Sequence, residues 1–199
     1  MATLDMLKAF RAGHSINIEV ISVIQPQNLQ DLEEVMELAK RYDAGLIFQP
    51  LMIDAFYGNS ECDPRLRFSK DQVGTYRRFI ETHLAPGRST RSLFWRNYLE
   101  MMDGKRRRIP CSYDRYVLSL YPTGEVLPCA KESWTVFGNI HDSPVDELWF
   151  GDKAGKIRRR MRREACPTCS FYCGAEYSLQ KEFFTYGFDL AKRILLGKG

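Results

Sequence analysis

Five of the six cysteines fall in the last ninety residues, in the order Cys111-x17-Cys129-x36-Cys166-x2-Cys169-x3-Cys173. Thiolates hold a zinc ion tetrahedrally, or hold an iron–sulfur cluster through four cysteines. A CxxC pair reaches one metal or one cluster across a tight turn, so Cys166 and Cys169 are the surest ligands. Cys111 and Cys129 sit on either side of a segment that reads as a hairpin, and they can converge on the same point. Cys173 has three open readings: spare ligand, buried small hydrophobe, or member of the site. Cys62 stands alone in a polar loop and reads as a free thiol. Structural zinc is the first rival. Zinc ribbons bring two CxxC knuckles, whereas here the first pair is separated by seventeen residues. Disulfides are the second rival, and they belong to oxidising compartments.

Compartment is read from the opening MATLDMLKAFRAGHS, where Asp5, Lys8 and Arg11 interrupt the apolar run that a signal peptide needs. No stretch approaches the roughly 18 consecutive apolar residues of a membrane span. The expectation is a cytoplasmic protein without membrane contact, with metal preferred to disulfide. The formal charge of +4 is local in origin. Residues 153–163, KAGKIRRRMRR, hold seven basic and no acidic groups, and the rest of the chain sets 22 basic against 25 acidic residues. That distribution argues against a nucleic-acid partner. Ala154, Ile157 and Met161 fall at helical spacing, so the arginines between them read as a solvated face. KRRR at 105–108 reads as an exposed linker. His14, His83 and His141 are isolated, with no ligand or triad spacing. Asp54 and Glu61 follow a predicted strand, on the side where α/β folds place ligands, which is the only hint of a substrate contact. No catalytic residue emerges.

The elements that must position the cysteines divide near residue 105. The β-branched run INIEVISVI at 16–24 predicts a buried strand, Asn28 a helix cap, and Leu29, Leu32, Val35, Met36 and Ala39 one helical face. Asp43-Ala-Gly45 ends that helix before a second strand, LIFQPLMI. Strand, helix, strand at this spacing is a βαβ unit with parallel strands. Ser69 predicts a helix over 70–84, and Ser89 or Thr90 another over 91–102. Beyond Pro110, YVLSLYPTGEVLPC predicts a hairpin turning at Pro122 and Gly124. Ser143-Pro144 predicts a helix start with proline at its first position and Asp146 placed for a capping box. A last helix is expected over 175–196.

On these residues the chain resembles the C-terminal extension of radical SAM enzymes, called SPASM in its long form and Twitch in its short form. The resemblance is carried by Cys111, twelve residues, Gly124, four residues, Cys129, then FGNIHDSPVDELWFGDKAGKIRR leading to CPTC. The chain departs from the long form afterwards, with CxxC-x3-C and no cysteine beyond Cys173, so one cluster fits better than two. INIEVISVIQPQNLQDLEEVMELAKRYDAGLIFQPLM is similar to a late strand–helix–strand of the family's partial barrel. The family's CxxxCxxC loop, whose cluster binds and cleaves S-adenosyl-L-methionine, is not found in these residues.

The resemblance implies an α/β chain: residues 1–104 as the C-terminal portion of a half barrel, and 105–199 as a small α+β SPASM/Twitch-like module. It implies an auxiliary [4Fe–4S] cluster on Cys111, Cys129, Cys166 and Cys169, with Cys173 as the substitute. It implies a cluster that binds substrate, a peptide or a small molecule, or accepts an electron. S-adenosyl-L-methionine would enter only with a SAM-binding partner chain or N-terminal half, and without it no radical chemistry is expected. The alternative is a non-catalytic, zinc-stabilised interaction module.

Overall fold

The structure is a computed structural model and describes residues 2–53, 64–109, 111, 113–129 and 133–181, with the backbone alone at 133, 173, 176, 177, 180 and 181. The chain forms two compact units, residues 1–52 with 63–76, and residues 53–62 with 77–199.

The first unit is built on the expected βαβ. Strands β1 (Glu19–Ile24) and β2 (Gly45–Pro50) pair in parallel, in register from Glu19↔Gly45 to Ile24↔Pro50. Helix α2 (Leu32–Arg41) crosses between them and buries Leu32 and Ala39. Its end is a Schellman motif: Ala44 N–H donates to Ala39 O at 2.9 Å and Asp43 N–H to Lys40 O at 3.0 Å. Asp43 takes the left-handed conformation this demands, at φ 48°. The start of α2 differs from expectation. Asn28 does not cap it, because its amide is already committed, accepting from Gln25 N–H (3.0 Å) and donating to Val23 O (2.8 Å). Those bonds hold a 3-10 turn, Pro26–Asn28, directly after the strand. Helix α1 (Ala2–Arg11) is tied to the end of α2 by polar contacts, Arg11 to the carbonyls of Tyr42 and Asp43, and Tyr42 Oη to Asp5. Ile21 and Val23 on β1 remain exposed, at 59% and 40%. Parallel sheets are ordinarily covered on both faces, so this sheet is one layer short of a complete core.

Helix α3 (Lys70–Phe79) begins with a capping box, in which Gln72 N–H donates to Ser69 Oγ and Ser69 N–H to Gln72 Oε1. It runs on through a π-helical turn, Ile80–Leu84, so the expected span 70–84 is helical throughout but not uniformly α.

In the second unit, α4 (Thr90–Met102) is capped by Ser89, whose Oγ accepts from Ser92 N–H at 3.1 Å. It buries Phe94 and Trp95. A short α5 (Tyr113–Tyr116) leads into a three-stranded antiparallel sheet of β3 (Ser119–Leu120), β4 (Glu125–Leu127) and β5 (Gly138–Asn139). Helices α6 (Val145–Phe150) and α7 (Asp152–Glu164) follow, then α8 (Tyr172–Lys181). Pro144 stands at the cap of α6 with no side-chain cap bond, so the capping box expected from Asp146 does not form. Val126, Phe137 and Ala154 form the core of sheet and α7, with Leu148, Trp149 and Ile157 packed round it. Phe94 of α4 meets Tyr172 of α8 edge to face at 4.9 Å. The expected last helix is present as far as Lys181; residues 182–199, like Cys62, Asp54 and Glu61, lie outside the described residues.

Helix α7 keeps the expected apolar stripe, with Ala154 and Met161 buried, yet its arginines are not all a solvated face. Arg158 lies over the rings of Phe137 (4.7 Å) and Trp149 (4.3 Å) and donates to the carbonyls of Asp114 and Trp149. Arg162 pairs with the Asp114 carboxylate at 2.6 Å, and that side chain is only 1% exposed. Asp114 therefore clamps α5 to α7. We expect Asp114→Asn to lower the stability of this unit by about 2 kcal/mol, less than a fully buried pair would lose because Arg162 is half exposed. Urea unfolding measures it, and an unchanged midpoint would rule the clamp out.

Candidate metal centre

The second unit brings together cysteines from both ends of the motif. Residues 166–168 make a 3-10 turn after α7, closed by Cys169 N–H to Cys166 O at 3.2 Å. Proline at the second position of CPTC presets the turn, and the two thiols are brought near each other. Phe171 N–H donates to Cys169 Sγ at 3.4 Å, so this sulfur already has a backbone donor on it. Cys111 precedes α5, and the Tyr113 backbone N–H lowers its thiol pKa by hydrogen bonding. Its sulfur lies against α8 at Gly174, where an added Cβ would stand 3.2 Å from Sγ. The glycine thus leaves the space that the Cys111 sulfur occupies.

The electrostatics describe the same grouping. Burial, then the neighbouring Cys111, Cys169 and Asp114, push the Cys166 thiol up to about 12, with Arg107 pulling the other way. Cys111 is raised chiefly by burial, and Cys169 and Asp114 add to this against Arg107 and the Tyr113 amide. Each of these thiols is within electrostatic reach of the others. Burial thus favours the protonated thiol at Cys111 and Cys166, and a metal must displace those protons to bind.

Cys129 follows β4 at the far end of the hairpin. Its carbonyl accepts from Thr135 Oγ1 at 2.6 Å, and its thiol raises the pKa of Tyr121, after burial the largest cause there. Cys173 is in α8, one residue before Gly174, with its side chain outside the described residues. None of Cys111, Cys129, Cys166 and Cys169 is in a disulfide.

Among the described residues no three His, Cys, Asp or Glu side chains are set to hold a metal ion as they stand. One zinc draws its thiolates to about 2.3 Å from a single centre. A cluster is held from outside by thiolates on different iron atoms, so it calls for a wider ring.

Arg107 is the residue that sequence reasoning missed. It belongs to KRRR, which reads as a uniform exposed linker, yet it is half-buried between exposed Arg106 and Arg108. Its backbone N–H donates to Pro167 O at 2.8 Å, its Nε to Ile109 O at 2.7 Å and its Nη1 to Cys169 O at 3.3 Å. The approach to Cys111 is thereby stitched to the CPTC turn. Asn97 of α4 holds the same stretch, its Oδ1 accepting from the amides of Arg108 (3.1 Å) and Ile109 (3.3 Å). Nothing local in three consecutive arginines singles out the middle one. The histidines stay outside the grouping: His14 stacks on Phe10, His83 lies tilted against Phe79, and His141 lies beside Gly124.

Residues 111–174 match the family model of SPASM, described as an iron–sulfur cluster-binding domain. The match begins at Cys111 and ends at Gly174, the residue whose lack of a Cβ leaves room for the Cys111 sulfur. No curated protein and no solved structure matches the chain. The second unit therefore carries a SPASM domain, and iron–sulfur binding is what that domain implies. No helix among the described residues is long and apolar enough to cross a membrane.

Proposed function

We propose that this chain is the C-terminal portion of a radical SAM enzyme, and that its SPASM domain holds one auxiliary [4Fe–4S] cluster. Cys111, Cys129, Cys166 and Cys169 are its ligands, with Cys173 as the substitute. The observation that carries this is the grouping of Cys111, Cys166 and Cys169 beside Arg107. When bound, such a cluster supplies a place that can hold a donor atom of a substrate or take up one electron. The residues of the chain do the rest. The 3-10 turn fixes two thiols, Gly174 leaves room for a third, and Cys169 is buried while the others are partly covered.

The first unit fits the same reading. Its parallel β1 and β2, with Ile21 and Val23 uncovered, are what a segment of a larger barrel would present to further strands. On this proposal a SAM-binding partner chain or N-terminal half supplies those strands and the cleavage site. A peptide or a small molecule is the substrate, and the work is done in the cytoplasm.

Anaerobic purification followed by iron, sulfide and zinc analysis tests the cluster. We expect iron and acid-labile sulfide in nearly equal amounts, close to four of each per chain for one [4Fe–4S] cluster. About one equivalent of zinc with no iron would establish the interaction module instead.

A further inference from the structure

Arg107 and Arg158 each spend side-chain donors on backbone carbonyls and keep a buried Nη2 without a partner among the described residues. Arg158 lies over the Phe137 and Trp149 rings, whereas Arg107 lies at the CPTC turn. Three of its donors are spent on backbone around the thiols, at Pro167, Ile109 and Cys169. Its remaining Nη2 is buried and has no hydrogen-bond partner among the described residues. Burying a guanidinium donor without an acceptor is costly, more so than for a neutral group. Asp114 gives its Oδ2 to Arg162 from α7, and its buried Oδ1 has no hydrogen-bond partner among the described residues, so it does not meet the Arg107 Nη2. Among the described residues no carboxylate pairs with Arg107. Its guanidinium is nevertheless fixed at the thiol-bearing turn, Nη1 donating to the carbonyl of Cys169 at 3.3 Å.

An anion in the site would resolve this. Four thiolates around an iron–sulfur core make a net negative object, and its sulfurs accept hydrogen bonds. Resting on the cluster reading above, we infer that Arg107 is the fixed positive charge of the site, a positioning residue that holds the CPTC turn and raises the reduction potential of the bound cluster. The direction follows from Coulomb's law. Arg107 attracts the site more strongly once one electron has been added and its negative charge has grown by one, with no proton needed. A cluster so tuned is easier to reduce, which suits it to receiving an electron rather than giving one.

The test compares the unmodified chain with R107Q and R107K, each reconstituted anaerobically with iron and sulfide and assayed for both. Each is then titrated with dithionite as the electron donor, with the reduced signal followed by electron paramagnetic resonance. R107Q removes the charge and is expected to shift the midpoint potential downward. R107K keeps the charge and should stay near the unmodified value. An R107Q potential equal to that of the unmodified chain overturns the inference while leaving the cluster reading intact. Should R107Q fail to load, loading of R107K at the original potential supports the charge role. Loss of the cluster from both variants makes Arg107 a strut only and overturns it. Absence of iron from the unmodified chain is a different failure, that of the cluster reading itself.

Discussion

Cys166→Ala leaves the reconstituted protein without its iron, its labile sulfide and the visible absorbance of an iron–sulfur centre. The expectation is near-complete loss, because Cys166 is the thiol most embedded among the others. Cys111, Cys169 and Asp114 all act on it. A cluster short of one of four thiolates either sheds an iron or takes a weaker oxygen ligand. Cys129→Ala should behave the same way if the hairpin supplies the fourth ligand, with Cys173 too poorly matched to replace it fully. Cys62→Ala, away from the clustered cysteines in sequence, should keep all three signals. Iron and sulfide per chain, measured side by side, give the answer. Equal iron in Cys166→Ala and Cys62→Ala would remove Cys166 from the ligand set.

Gly124→Ala should cost the second unit about 3 kcal/mol, through two separate effects of similar size. The first is conformational. Tyr121 to Gly124 form a β-turn, with Gly124 N–H donating to Tyr121 O at 2.8 Å, and Gly124 sits at φ 91°. That region is open to glycine and strained for other residues. The second is space: a Cβ there would lie 2.4 Å from Asn139 Oδ1 and 2.8 Å from His141 Cδ2. Asn139 cannot yield freely, since its Nδ2 donates to Thr123 O and its Oδ1 accepts from His141 N–H. The substitution thus disturbs the turn and the neighbouring strand together. Denaturant unfolding followed by tryptophan fluorescence reads this unit selectively, because Trp95, Trp134 and Trp149 all lie within it. Gly155→Ala is the contrast. It sits inside α7, where a Cβ meets nothing nearer than Arg159 Nη1 at 3.6 Å, and should raise stability by about 0.5–1 kcal/mol. Equal midpoints for Gly124→Ala and the unmodified chain would mean that the turn is not what holds the hairpin. Because the hairpin leads to Cys129, a loosened turn should also lower cluster occupancy.

Much of this was legible in the chain itself, for a physical reason. Strands, helices and turns are written in short-range patterns. The β-branched run at 16–24, the helical face of α2 and the Ser69 and Ser89 caps all act within a few residues. So do Pro122 and Gly124 at their turn, and the structure places these elements close to where the patterns put them. The Asn28 cap failed for the same kind of reason in reverse. Its amide had a nearer competitor in Val23 O and Gln25 N–H, and a local bond to the end of β1 prevailed. The capping box at Asp146 failed because Pro144 itself occupies the cap and brings no side-chain acceptor.

What the sequence by itself determined is the type of chemistry: thiols in a CxxC turn, a second pair across a hairpin, and a glycine at the hairpin's turn. Ligand type and turn geometry depend on residue identity and spacing, which the chain carries openly. Only the tertiary structure decided how the charges are used. Arg107, Arg158 and Arg162 stand in basic runs that look uniformly solvated. Folding turns Arg107 toward the CPTC carbonyls, Arg158 onto Phe137 and Trp149, and Arg162 onto Asp114. The partners are as far as 62 residues away along the chain. Whether a charge is solvated, stacked or paired depends on what the fold brings beside it, and no local pattern in a run of arginines encodes that.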